Sequence, residues 1–323
     1  RFGAVAVAVA LHARTGFRIT LPTDEGRLVL PGIGTYEAHA PRVRLVAGPR
    51  SLRLTPEGRR SGLLLTRPYS RAAGVGWRGL STLPGSRARL DDSGPYRLRG
   101  RGGPVPRGGA RARGGEGARG TPAGPWLTRW CSALALLESA DPARAAEVAS
   151  LTRALVPLDP SPGGVSSATL RAAPWAVLTG LPDSAPDMAE VLVHEIQHSK
   201  LAVLGDLAPL HHAGEEAVYR VAWRLDPRPF SGVLQGTYAH LALADLWDRI
   251  AERPGATPAA RAAARGHREE YREQVAEALP ILLESGQLTC TGREFAIGME
   301  RHLLSLGQRG VPLRRRQRYV THG

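Results

Sequence analysis

The sequence HEIQH at positions 194–198 is an HExxH motif, the pattern in this chain that points most directly to chemistry. On an α-helix, residues four apart differ by about 40° around the axis, so His194 and His198 leave the same face. Two imidazoles on one face can bind one metal ion. Ser184 as an N-cap and Pro186 in the first turn predict a helix here. We therefore predict a metal site, with a pair of solvated or structural histidines as the alternative.

Two histidines leave a metal site incomplete, and the sequence offers further candidate ligands. His240 lies 42 residues after His198 on a predicted apolar helix, where the alternative role is a core histidine. Glu215 and Glu216 follow His198 by 17 and 18 residues, which resembles the gluzincin arrangement of a downstream glutamate. Their alternative role is an acidic first turn of a helix, which the helix dipole favours. The histidines at 211–212 are predicted to lie on a surface loop.

Two arginines flank a proline-containing turn in the segment Tyr219–Gln235. Arg224 and Arg228 stand on either side of Asp226 and Pro227. A proline-locked loop that holds two guanidinium groups suits the capture of a carboxylate, because the planar fork binds both oxygens. The alternative is a turn in which both arginines pair with Asp226.

These residues need elements that position them, and the pattern changes along the chain from strands to helices. In the first part we predict short strands, with Phe17–Leu21 and Arg27–Leu30 as a hairpin, and Arg42–Ala47 paired with Ser51–Thr55. The apolar stretch Ser167–Leu178 is predicted as a strand beside the HExxH helix, by analogy with zincins. The predicted helices are 126–139, 142–155, 186–203, 230–252, 258–284 and 291–306.

The predicted fold class is α+β, with a strand-rich N-terminal region before a mainly helical metal-binding region. The predicted boundaries are 1–96 for the strand-rich region, 97–125 for a flexible Arg/Gly/Pro loop, 126–310 for the helical region and 311–323 for a basic tail. The loop is too rich in arginine and glycine to bury the apolar surface that folding requires. Because the chain begins at Arg1 rather than Met, we expect a further domain upstream.

The composition excludes several classes of protein. With 323 residues the chain forms one large domain or two small ones, and no apolar run is long enough to span a membrane. Two cysteines exclude a disulfide scaffold, a cysteine-rich zinc ribbon and an iron–sulfur cluster. The net charge is +14, because 43 basic residues outnumber 29 acidic ones. Of the basic residues 42 are arginine and one is lysine, a bias typical of a GC-rich genome, so we expect no nucleic-acid partner. We expect a cytoplasmic protein.

Blocks of sequence between about Leu90 and Arg249 resemble, in order, the actinobacterial HExxH-domain family associated with the maturation of ribosomally made peptides. The matching blocks are LDD at 90–92, PYR at 95–97, VSSAT at 165–169, LVHEIQHSKL at 192–201, WR at 223–224, DPRP at 226–229 and GTYAH at 236–240. The first 90 residues and the Arg/Gly loop show little similarity to the family. The family also occurs as the C-terminal extension of SPASM-type radical SAM peptide maturases, so we expect such a maturase as a partner, either separate or fused upstream.

The resemblance implies an iron(II)- and 2-oxoglutarate-dependent enzyme that hydroxylates a β-carbon of a residue in a ribosomally made precursor peptide. Such a site has three protein ligands on one face of the iron. The resemblance implies that His194, His198 and His240 are these ligands, although a carboxylate such as Glu216 would be nearer the usual facial triad.

The resemblance also implies roles for the remaining residues. Arg224 or Arg228 would bind the C5 carboxylate of 2-oxoglutarate, and Glu195 would orient a ligand or the peptide. A competing hypothesis is a zinc metallopeptidase of gluzincin-like type, in which Glu195 is the general base and a carboxylate is the third ligand. A third hypothesis is a catalytically inactive HExxH domain that binds the precursor peptide for a radical SAM maturase by strand addition at Ser167–Leu178.

Overall fold

The structure is a computed structural model, and it describes residues 2–93, 123–158 and 167–307. Within these residues a strand-rich N-terminal region precedes a mainly helical region, which confirms the predicted α+β class. Of the flexible loop predicted at 97–125, residues 97–122 lie outside the described residues, and the last three belong to a helix. The predicted basic tail at 311–323 also lies outside them.

The described residues form seven helices and fourteen strands. The helices are α1 (Phe2–His12), α2 (Ala123–Ala140), α3 (Pro142–Leu151), α4 (Ala185–Leu207), α5 (Phe230–Glu252), α6 (Pro258–Glu284) and α7 (Cys290–Gly307). The strands are β1 (Phe17–Pro22), β2 (Arg27–Leu30), β3 (Gly34–Glu37), β4 (Arg42–Ala47), β5 (Ser51–Pro56), β6 (Leu63–Thr66), β7 (Trp77–Gly79), β8 (Ser81–Thr82), β9 (Arg89–Leu90), β10 (Ala154–Pro157), β11 (Ser167–Leu170), β12 (Ala173–Thr179), β13 (Tyr219–Val221) and β14 (Arg224–Arg228). Over these ranges no helix combines the length and the apolarity that crossing a membrane requires.

The chain divides into two compact units, and both α2 and β12 pass from one unit into the other. The first unit comprises Arg1–Cys131, Thr152–Ser167 and Ala176–Pro182. The second unit comprises Ser132–Leu151, Ala168–Trp175 and Asp183–Gly323.

The first unit is built on antiparallel strands. One sheet has the order β1-β4-β5-β6 and another has the order β2-β3-β7. The side chains alternate as a sheet with one buried face requires: Val43 and Leu45 on β4, and Leu52 and Leu54 on β5, are all fully buried. These residues form a core with Leu11 of α1. In the same unit, β10 pairs in parallel with β9 and with the second half of β12.

The second unit is built around α5. Most residues of this helix are buried, as expected for a helix surrounded by others. It packs against α4, α6 and α7. The core includes Phe230 and Leu241 of α5, Leu279 and Leu282 of α6, and Met299 of α7. Because α4 packs directly against α5, side chains on the facing sides of these two helices contact each other.

Three local predictions were wrong. The hairpin predicted from Phe17–Leu21 and Arg27–Leu30 does not form, because β1 pairs with β4 and β2 pairs with β3. The predicted single strand Ser167–Leu178 is two strands, β11 and β12, which are neighbours in one sheet. The helix predicted at 142–155 ends at Leu151, and the residues that follow form β10. By contrast, β4 and β5 pair as predicted.

Candidate functional site

Helix α4 positions the HExxH motif, and its start is fixed by local signals. The side chain of Ser184 accepts a hydrogen bond from the backbone N–H of Asp187 at 3.2 Å, which is an N-cap. Pro186 stands in the first turn, where its missing N–H has no helical partner to lose. Leu192 and Val193 of this helix are fully buried, and Leu201 belongs to the core of the second unit. The two motif histidines therefore sit on a well-defined helix.

His194 and His198 converge as the motif predicts. Their Nε2 atoms lie 2.9 Å apart and their rings meet edge to face, with centroids 4.5 Å apart. Two nitrogen ligands at right angles around one metal, each about 2.1 Å from it, would have their atoms about 3.0 Å apart. The two Nε2 atoms are thus spaced like adjacent ligands of one ion.

Helix α5 brings His240 to the same place. Its ring centroid lies 5.6 Å from that of His194, and the residue is 7% exposed. We refer to His194, His198 and His240 as the histidine cluster. Among the described residues, however, no three His, Cys, Asp or Glu side chains are arranged so that they could hold a metal ion. The structure therefore brings together a close pair with a third imidazole beside it, and it does not show three donor atoms arranged around one point.

Burial keeps the histidine cluster uncharged. It lowers the pKa of His194 and of His198 to about 4, and that of His240 to about 3. The other histidines of the cluster add to the lowering at His198 and His240, because each would repel a second positive charge. All three imidazoles are therefore neutral at pH 7, the state in which histidine binds metals.

Two nitrogens of the cluster are buried without a hydrogen-bond partner among the described residues. They are Nδ1 of His198 and Nδ1 of His240. A buried polar atom without a partner is costly, and native structures keep few of them, often at sites that a ligand completes. A ligand at the cluster would account for the unpaired nitrogen of His240, whereas Nδ1 of His198 lies across the ring from Nε2, and an ion at Nε2 would leave it unpaired.

Glu195 of the motif is held by a residue of strand β11. The hydroxyl of Thr169 donates to Oε2 of Glu195 at 2.7 Å, and Glu195 is 2% exposed. One turn later, the backbone N–H of Trp175 at the start of β12 donates to Oγ of Ser199 at 3.0 Å. The β11–β12 pair thus lies along α4, and it fixes the carboxylate of Glu195 in a buried position.

Trp223 covers the cluster from the turn between β13 and β14. Its indole lies edge to face with His240, with ring centroids 4.6 Å apart. Gly236, one turn before His240 on α5, makes room for it, because a Cβ at this position would lie only 2.6 Å from Cζ2 of Trp223. Trp223 belongs to a block that carries the resemblance, but sequence reasoning assigned it no role.

Tyr271 of α6 closes another side of the cluster. Its ring contacts that of His240 at 5.2 Å, and its hydroxyl donates to Oε1 of Glu190 at 2.7 Å. The other carboxylate oxygen of Glu190 accepts from Nε1 of Trp247 at 2.7 Å. Burial and the neighbouring Glu190 raise the pKa of Tyr271, so its hydroxyl remains a donor. Glu190 could have been found from the sequence, because it precedes His194 by one helical turn.

The two candidate arginines lie on strand β14 rather than on a loop, and the alternative arrangement, in which both pair with Asp226, does not form. No ion pair within the described residues joins Asp226 to Arg224 or Arg228. Arg224 is exposed, whereas the guanidinium of Arg228 lies over Gly232, where a Cβ would be 3.3 Å from Nε. Gly232 is two turns before His240 on α5, about 12 Å along the axis. Arg228 therefore lies beside α5 two turns before the third histidine, at a position about 80° from it around the helix axis.

Glu215 and Glu216, the carboxylate candidates, lie elsewhere. Both are exposed, and both stand in an irregular segment between α4 and β13 rather than in the helix that the sequence suggested. His211 is also separate from the cluster, because its ring packs against Phe230 at 5.4 Å. Of the candidate third ligands, His240 is the one that the structure places beside His194.

Comparison with known proteins adds no assignment. No family model matches the chain, and no curated protein matches it either.

Proposed function

We propose that this chain is an iron(II)- and 2-oxoglutarate-dependent enzyme that hydroxylates a β-carbon of a residue in a ribosomally made precursor peptide. The observation that carries the proposal is the histidine cluster, in which one buried and two partly buried imidazoles from two helices lie side by side and are neutral. Imidazole is a ligand that suits iron(II). The peptide substrate, and a radical SAM maturase as partner, rest on the sequence resemblance alone.

The chain's own residues would divide the work as follows. His194 and His198 would hold the ion from α4 and His240 from α5. When bound, iron with 2-oxoglutarate would allow O2, as the oxidant, to hydroxylate an unactivated C–H bond. Arg228, which has no ion pair among the described residues, would bind the C5 carboxylate of 2-oxoglutarate with its planar fork. Trp223 would keep bulk water away from His240.

Glu195 favours the oxygenase over the peptidase. A peptidase base must reach a water molecule and the substrate, and it must exchange protons during each turnover. The carboxylate of Glu195 is instead almost fully buried and accepts a hydrogen bond from Thr169. That arrangement suits a residue that orients α4 and its ligands.

A zinc metallopeptidase is the second candidate, and the HExxH motif itself favours it. Its expected carboxylate ligand has no support from Glu215 and Glu216, which are exposed in an irregular segment. This candidate predicts tight stoichiometric zinc binding and peptide hydrolysis that Glu195→Gln abolishes.

The test is an anaerobic titration of metal-free protein with iron(II) and 2-oxoglutarate, followed by visible absorption. We expect the charge-transfer band between iron and 2-oxoglutarate only when both are present. The band should be absent in His194→Ala and retained in Glu195→Gln. Tight zinc binding with no such band would contradict the proposal and favour the peptidase.

The same titration tests the role of Arg228. Arg228→Gln should weaken 2-oxoglutarate binding by about tenfold, because a charge-assisted hydrogen bond is lost, while iron binding is retained. Arg220→Gln is the matched control, since Arg220 is exposed on the neighbouring strand β13. If the two substitutions weakened 2-oxoglutarate binding equally, Arg228 would not be a 2-oxoglutarate ligand.

A further inference from the structure

The first unit contains a polar cavity that the proposed function does not use. Its volume is about 380 Å³, within the range of small-molecule sites. Three arginines line it, Arg14, Arg67 and Arg89, and none of the lining residues that the structure describes is acidic. Within the described residues, none of the three forms an ion pair. We refer to this site as the arginine cavity.

Polar atoms at the cavity are buried without partners. Tyr69, which lines the cavity, is 6% exposed, and its hydroxyl has no hydrogen-bond partner among the described residues. Nε of Arg67 is also buried without a hydrogen-bond partner among the described residues. The guanidinium of Arg67 lies 5.2 Å from the ring centroid of Tyr69, a cation–π contact that fixes its plane. Both atoms are closed to water, so they belong to the wall of the cavity, and a ligand would meet this wall through the outer nitrogens of the arginines.

The backbone around Tyr69 is held in place. Its carbonyl accepts a hydrogen bond from Nε1 of the buried Trp77 at 3.0 Å. Arg89 is likewise held, because its Nη1 donates to the hydroxyl of Thr82 and its backbone belongs to β9. The donors therefore come from ordered elements, as a binding site requires.

We propose that the arginine cavity binds a small organic molecule through a phosphate group. Several guanidinium groups without a counter-ion call for an anion with more than one negative charge, and a phosphate monoester carries about −1.5 to −2 at pH 7. Arginine forks bind phosphate oxygens in pairs. Leu11 and Ile33 also line the cavity and offer apolar contacts to the rest of the ligand. This proposal is independent of the oxygenase proposal.

The test is calorimetric titration of the full chain with inorganic phosphate, glycerol phosphate and succinate, at constant ionic strength. We expect saturable binding of one equivalent of both phosphates and weaker binding of succinate. Arg67→Gln should weaken phosphate binding by about tenfold or more. Arg44→Gln is the matched control, because Arg44 is exposed on β4 of the same unit and should leave binding unchanged.

Tyr69→Phe gives a second readout, which separates the stability of the cavity wall from ligand binding. Without phosphate, the variant should melt at a higher temperature than wild type, because it lacks a buried hydroxyl without a partner. Its phosphate binding should equal that of wild type, because the lost hydroxyl is closed to water and the ring that contacts Arg67 remains. Three results would overturn the proposal: no saturable phosphate binding, tighter binding of succinate, or equal weakening by Arg67→Gln and Arg44→Gln.

Discussion

The histidine cluster and the arginine cavity both hold nitrogens that are buried without partners, but the two sites differ in charge. Burial leaves the imidazoles of the cluster neutral, so each can offer a lone pair. The guanidinium groups of the cavity stay protonated in any environment and can only donate. The first site is thus suited to a cation and the second to an anion.

The difference shows what determines the ligand in an arginine-rich protein. The chain carries a net charge of +14, and on that basis alone every surface would attract anions. The histidine cluster departs from this expectation because its three imidazoles are uncharged at pH 7. The cavity departs from an ordinary basic surface because no described carboxylate neutralises its arginines. Local burial and local pairing, rather than net charge, distinguish the two sites.

The largest expected effect tests whether the histidine cluster binds a cation. His240→Ala should weaken iron(II) binding by at least about a hundredfold, the upper end of the effect of residues that only orient a ligand. Anaerobic metal titration with an iron chelator as competitor measures the change. His211→Ala is the control, because this histidine packs against Phe230 outside the cluster. Unchanged affinity in His240→Ala would end its assignment as a ligand.

A smaller effect concerns pH. The pKa of His240 lies at about 3 in the folded chain and near 6.5 in the unfolded chain, so the unfolded chain binds the proton first. The free energy of unfolding of metal-free protein must therefore fall as the pH drops below about 6.5. At pH 5, His240 should contribute about 2 kcal/mol of this loss.

Urea denaturation at pH 7 and pH 5, with a chelator present, measures this loss. His240→Gln should lose about 2 kcal/mol less than wild type between the two pH values. Arg67→Gln should follow wild type, because its guanidinium stays charged throughout. A His240→Gln variant with the pH dependence of wild type would show that the imidazole is already solvated.

The smallest effect compares one tyrosine from each site. Tyr271→Phe removes the hydrogen bond to Glu190 and should lower the free energy of unfolding by about 1 kcal/mol. Tyr69→Phe removes a hydroxyl without a partner and should raise it. Thermal melts in phosphate-free buffer measure both changes. Shifts of the same sign would show that the two hydroxyls do not differ as the structure indicates.

Local signals made the helical unit predictable. The predicted bounds of α5 and α6, 230–252 and 258–284, are those of the structure, and Ser184 caps α4 as expected. Proline at a helix start and apolar periodicity act within a few residues, so a single sequence records them. The strand pairing was harder to predict. Strands β1 and β4 are neighbours in the sheet although β2 and β3 lie between them in the sequence, and turn residues such as Asp24 cannot specify a distant partner.

The candidate site was predictable to the same extent. The spacing of His194 and His198 placed both on one face of α4, and their Nε2 atoms do approach each other. The position of His240 depends on the packing of α5 against α4, which no local pattern encodes. Trp223 and Tyr271 reach the cluster from a hairpin and from α6. The arginine cavity escaped prediction because its residues are separated along the chain and look like ordinary solvated arginines.

The close packing of Trp223 against Gly236 gives the histidine cluster an intrinsic spectroscopic probe. Its indole lies 4.6 Å from His240, so the site carries its own fluorophore. A paramagnetic ion bound at the histidine cluster would quench the emission of Trp223, and the quenching would report occupancy in real time without any added dye. The chain contains six tryptophans, and subtracting the spectrum of Trp223→Phe isolates this signal from the other five.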